Sequence, residues 1–179
     1  THLSPAASLS EGQALRAGRP WLFLAAGSGR AHDIVGGEEI AGAAVLGGLD
    51  AQWRRGGPRS VLDVGDGVFT DPLVLDGIRL EADVFATPLG TLVILLHDAD
   101  VSFVQLNAVG VTAVDSDVEN VTLAGFSGRS LFYRTHVGAR LDIGPGLQAS
   151  VVLGTASDFN AGVADHVVVR AGADLLVVN

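Results

Sequence analysis

Between Val93 and Val163 apolar side chains recur at a near-constant interval. Read in tens, one column holds Thr91, Val101, Val111, Val121, Leu131, Leu141, Val151 and Ala161. A second holds Val93, Phe103, Ala113, Leu123, Tyr133, Ile143, Leu153 and Val163. Fifteen of these sixteen positions are apolar, where a chain that is 48% hydrophobic would place about eight. Residues two apart share one face of a strand, and a fixed interval marks stacked, similar units. Apart from Thr91 the columns contain only Val, Leu, Ile, Ala and two aromatics, so both are expected in the core.

The rest of the chain supplies further strands. Trp21–Ala26 reads as a short buried strand closed by Gly27-Ser28-Gly29. Ile40–Leu49 is built of small residues, and its pattern fits helix and strand alike. Val61-Leu62-Asp63-Val64 reads as a strand. Asp76-Gly77, set between Val74-Leu75 and Ile78-Arg79-Leu80, has the form of a hairpin turn. Thr91–Leu96 is apolar without alternation, as in a fully buried strand. Near the start, Ser10-Glu11-Gly12-Gln13 has the spacing of a helix capping box. Late in the chain the ten-residue phase breaks at Thr155–Ala164, as an insertion would cause. It resumes at His166–Val169 and Leu175–Val178.

The fold class expected is all-β. A β-solenoid of about 20 residues per coil, two strands to the coil, is favoured because the columns keep one sense in successive tens. Short strands every eight to twelve residues also suit a β-sandwich, which is the alternative. Residues 1–59 are expected to form a small irregular N-terminal extension with a short helix or strands, held by a partner, and residues 60–179 the β-rich domain.

Composition narrows the partners. Only 17% of the 179 residues are charged, against about a quarter in ordinary soluble domains, so another surface is expected to cover part of the chain. The formal net charge is −9, and every basic residue is Arg. Such a balance excludes nucleic acid and anionic membranes as natural partners. Cysteine is absent, which removes disulfides, thiolate metal sites and cysteine nucleophiles. No apolar run has the length of a membrane helix.

Asp63-Val64-Gly65-Asp66-Gly67, Asp117-Val118-Glu119-Asn120-Val121-Thr122-Leu123 and Gly138-Ala139-Arg140-Leu141-Asp142-Ile143-Gly144 resemble rungs and turns of bacterial secreted β-helix and adhesin passenger proteins. The resemblance implies surface exposure and an adhesive or scaffolding role. It does not extend to the glycine-rich calcium nonapeptide of type-I-secreted proteins, which this sequence lacks.

Candidate chemistry is sparse. Asp115, Asp117 and Glu119 alternate and offer hard oxygen ligands suited to Ca²⁺, although the spacing is not that of an EF-hand. Asp98, Asp100, Asp115 and Asp117, with Arg134 or Arg140 to hold an acidic sugar, are the carboxylates a carbohydrate-active enzyme would use. The five histidines lie far apart, and no nucleophile elbow or phosphate loop is present. The arginine cluster Arg54-Arg55-Gly56-Gly57-Pro58-Arg59 beside Trp53 reads as a solvated turn.

The function expected is non-catalytic: a structural or accessory subunit of an extracellular, cell-surface or periplasmic assembly. It would bind other subunits or copies of itself by surface burial and edge-strand pairing. Trp21, Trp53, Leu175, Leu176, Val177 and Val178 are the expected contact residues. The alternatives are a self-assembling adhesin or surface-layer segment, with or without calcium, and a β-helix carbohydrate-active enzyme.

Overall fold

The computed structural model describes residues 14, 21–25, 32–33, 44–63, 73–81, 93–108, 110–124, 128–152 and 166–178. Fifteen strands, numbered in chain order, lie within them. One sheet, sheet A, takes the odd members: β1 Trp21–Ala25, β3 Ala44–Leu49, β5 Leu73–Asp76, β7 Val93–His97, β9 Gly110–Val114, β11 Gly128–Tyr133, β13 Leu147–Val152 and β15 Asp174–Val178. The other, sheet B, takes the even ones: β2 His32–Asp33, β4 Ser60–Asp63, β6 Ile78–Glu81, β8 Asp100–Ala108, β10 Asp117–Leu123, β12 His136–Ile143 and β14 His166–Val169.

Every strand pairs in parallel with the strand two places away in sequence. The chain is therefore a β-solenoid, not a sandwich of antiparallel strands. Thr112 pairs with Leu131, and Leu131 with Ser150, nineteen positions on each time. The coil is thus slightly shorter than the expected twenty. From Asp142 to its partner Val168 the step widens to twenty-six. The Thr155–Ala164 segment and the Ser10–Gln13 capping box lie outside the described residues.

The Asp76-Gly77 turn is not a hairpin. β5 pairs with β3 and β7, and β6 with β4 and β8, so the turn is a corner that carries the chain from one sheet to the other. Gly77 takes the left-handed conformation there, at φ 67°. Asp98, Asp115 and Arg134 do the same at the next three corners, with φ of 47°, 50° and 48°. Asp tolerates this region better than most side chains because its short polar group bonds locally. The corners are stitched vertically: the Gly77, Asp98 and Asp115 amides donate to the carbonyls of His97, Val114 and Tyr133. Buried Ser116 completes the stitch. Its hydroxyl accepts from the Ala99 amide at 3.1 Å and donates to the Val114 carbonyl at 2.8 Å.

Between the sheets lies an aliphatic core with one aromatic among the described buried residues, Phe132. On its inner row Leu96 stands beside Ala113, and Ala113 beside Phe132. A small side chain thus stands next to the large ring in register.

Ile40–Leu49, undecided from pattern, contributes strand β3. Its Gly47 is required by close approach: a Cβ there would meet the Gly77 carbonyl oxygen at 2.5 Å and the Ser60 Cβ at 2.8 Å. Strands β1 and β3 continue the same sheet as β5, so ordered strands of the solenoid occur on both sides of position 59.

Candidate interaction surface

Alternation in a strand sends every second side chain outward, and in sheet A many of those are apolar. The outward residues of β7 are Val93, Leu95 and His97, around buried Ile94 and Leu96. Those of β11 are Arg129, Leu131 and Tyr133, around buried Ser130 and Phe132. Val93, Leu131 and Tyr133 were placed in the core by the ten-residue columns. They are instead 37–40% exposed, because the inward parity of β7 and β11 is set one residue away from the column. The expectation that Thr91–Leu96 lacks alternation, and that the Trp21 strand is buried, is corrected in the same way: Trp21 and Phe23 both face solvent.

Parallel register lines these residues up across the coils. One row runs Trp21, Ala44, Val74, Leu95, Thr112, Leu131, Ser150, Leu176. The next runs Phe23, Leu46, Asp76, His97, Val114, Tyr133, then through the Val152 backbone to Val178. From β3 to β15 this register has no shift. The one carboxylate and the one imidazole in the two rows, Asp76 and His97, are neighbours in register, with His97 Nδ1 2.7 Å from Asp76 Oδ1. Arg55 also pairs with Asp76.

The outer side of sheet B is polar and less regular. Arg79, Asp100, Asp117 and His136 succeed one another across β6, β8, β10 and β12. Register shifts interrupt both pairings of β10 near Glu119. Arg79 lies 3.0 Å from Glu81 and 3.9 Å from Asp100.

The candidate carboxylates are engaged by arginines. Arg59 donates from Nε to Asp98 at 3.1 Å and from Nη1 to Asp117 at 3.0 Å. Burial works against its charge, but the two carboxylates outweigh that and raise its pKa above the ordinary guanidinium value. The Arg54–Arg59 cluster is therefore not simply a solvated turn, since Arg55 and Arg59 brace the corners. Asp115 pairs with Arg134, whose guanidinium sits 4.9 Å from the centre of the Tyr133 ring. Glu119 lies at the β10 irregularity, half-buried. No cluster of three or more His, Asp or Glu side chains able to hold a metal ion occurs among the described residues.

No protein-family model matches the chain, and neither a curated protein nor a solved structure matches it. The surface itself therefore carries the functional argument.

Of the contact residues expected from sequence, Trp21 and Leu176 fall on one row and Val178 on the other. Leu175 turns inward against the core, and Val177 is 37% exposed. Trp53 stands apart at the tip of a loop closed by the Leu49–Arg55 bridge. Asp50 fixes that loop by accepting from the Gln52 and Arg54 amides at 2.8 and 2.9 Å. The Arg54 amide chiefly, against desolvation, keeps the Asp50 carboxyl below its ordinary pKa. Sequence reasoning missed Leu95, Leu131 and Tyr133. The signal available for them was the unbroken apolar runs in β7 and β11, which leave apolar side chains on both faces of a strand.

No helix among the described residues is long and apolar enough to cross a membrane.

Proposed function

We propose that this chain is a non-catalytic structural or accessory subunit of a larger extracellular or periplasmic assembly, and that it docks through the outer face of sheet A. One observation carries the reading: two largely apolar rows cross the eight strands in register, and their members on β1, β5, β7, β9, β11 and β15 are exposed or partly exposed. Single exposed apolar residues are ordinary on proteins, whereas a contiguous patch marks a site of association. The charged residues of sheet B lie away from it, while Asp76 and His97 in the second row, and Arg129 and Asp174 beside the first, share the face. Low overall charge and the likeness of three segments to secreted β-helix and adhesin passenger proteins support the location. This reading sets the contact on the flat face of sheet A ahead of the edge of the last strand.

The test replaces Leu95 and Leu131 together by Glu. Both side chains are outward, so the variant keeps the thermal unfolding of the wild type while burial of the face becomes unfavourable. In native extracts the wild-type chain then sediments within a larger complex and the variant at the size of the free chain. Identical sedimentation of the two would overturn the proposal.

A further inference from the structure

We infer that the occupant of the sheet A face is a second copy of this chain, packed face to face so that two solenoids form a four-layered assembly. The inference rests on the docking reading above and specifies the partner.

Area comes first. Eight strands at about 4.8 Å, each offering about five residues at about 3.3 Å, present roughly 600 Å² of flat face. Two such faces together reach about 1,200 Å², the lower bound for specific, stable interfaces. That requires the whole face to be covered, by something as long and as regular as the face itself. Sheets pack face to face when strand spacing and direction match to within about 30°, and an identical sheet meets that condition at every coil.

Charge comes second. Each copy carries a net −9, so self-association requires the carboxylates on the contact to be few and partnered. Asp98, Asp115 and Asp117 lie at corners or on sheet B, each paired with an arginine. On the face itself Asp76 is held by Arg55 and His97, and Asp174 shares a row with Gln148 and Arg129. The repulsion from the corners and sheet B is displaced from the contact and screened beyond roughly 8–10 Å of salt solution.

Because a closed contact between two copies of one face is two-fold, residues at its centre lie near their own counterparts. Thr112, on β9 between Leu95 and Leu131, is central among the eight strands. The chain has no cysteine, so a single introduced thiol reports its position alone.

The experiment combines sedimentation equilibrium of the purified chain with crosslinking of Thr112→Cys by a bis-maleimide that spans the roughly 10 Å between packed sheets. His136→Cys, exposed on sheet B, is the control. The expected result is a dimer at tens of micromolar, a crosslinked dimer with Thr112→Cys only, and a dimer dissociation constant raised at least about 100-fold in the Leu95→Glu/Leu131→Glu variant. Should that variant fail to fold, the crosslink decides. A monomer at all concentrations that binds an apolar dye at the face, with the dye lost in the Glu variant, overturns the self-docking inference and leaves the docking reading standing. A monomer that binds no such dye overturns both. Equal crosslinking from His136→Cys also overturns the inference.

Discussion

Arg170 closes over Asp142 with two hydrogen bonds, Nε to Oδ1 at 2.9 Å and Nη2 to Oδ2 at 2.7 Å, and leaves the Asp142 side chain only 5% exposed. Arg140 adds a third bond at 3.0 Å. The pair joins β12 to the residue that follows β14, across the step where the coil spacing widens to twenty-six. Its geometry is the planar, bidentate one that suits guanidinium to carboxylate. The Arg170 hydrogen bonds, against burial and with help from Arg140, hold Asp142 below the ordinary carboxylate pKa. The same carboxylate raises the pKa of Arg170 by hydrogen bonding first and Coulomb attraction second.

This relationship makes stability depend on pH in a fixed direction. A depressed folded-state value means that the contribution of Asp142 is complete above about pH 4 and disappears as pH falls through the lower folded value. Asp142→Asn is expected to cost about 1–3 kcal/mol at neutral pH, since the guanidiniums lose a charged acceptor. Thermal unfolding of both proteins from pH 7 to pH 3 should show the gap between them shrinking below pH 4. A gap that stays constant would show that the charge of Asp142 does not stabilise the fold.

At the Asp76-Gly77 corner, Gly77 combines a left-handed backbone with a lack of space. A Cβ there would lie 2.7 Å from the Gly47 carbonyl oxygen. Gly77→Ala should therefore lower stability by at least about 2 kcal/mol, joining the cost of the conformation to that of the clash. Urea unfolding would measure it, and a loss below about 0.5 kcal/mol would mean that the corner relaxes.

Phe132 and Tyr133 are adjacent in sequence and opposite in fate. Phe132→Ala empties the largest fully buried side-chain site among the described residues and should cost about 3–5 kcal/mol. Tyr133→Ala removes an outward ring and its contact with Arg134, and should cost less than about 1 kcal/mol in dilute protein. Denaturant midpoints for the two variants decide the parity of β11, and equal losses would contradict it.

Arg59 ties together two successive corners. Because its partners are nearly half exposed, at 49% and 45%, solvent screening leaves the pairs modest in value. Arg59→Gln should cost roughly 1 kcal/mol at low ionic strength, with the difference fading in about 1 M salt. A salt-independent loss would point to packing of the arginine stem.

The alternation of the outer rows explains what was readable and what was not. Repeated short stretches of β-forming residues at a fixed interval favour stacked coils over a sandwich, because each coil must bury an apolar face against its neighbours. Among the corner residues Asp76-Gly77 was visible as a turn. Its role was misread as a hairpin, since a local Asp-Gly signal does not say whether its flanking strands pair with each other or with other coils.

What sequence alone determined is the all-β class and a core made almost wholly of aliphatic side chains; it favoured a near-twenty-residue coil over a sandwich, and the parallel pairing decided between them. What only the tertiary structure decided is which parity of each strand faces inward. A shift of one residue exchanges the two faces of a strand. In Val93-Ile94-Leu95-Leu96 and Leu131-Phe132-Tyr133 both parities are apolar, so hydrophobicity cannot choose between them. Register with neighbouring coils makes the choice: Leu96 and Phe132 flank the small Ala113 on the inner row. That leaves Leu95, Leu131 and Tyr133 on the outside, where they form the surface from which function is argued.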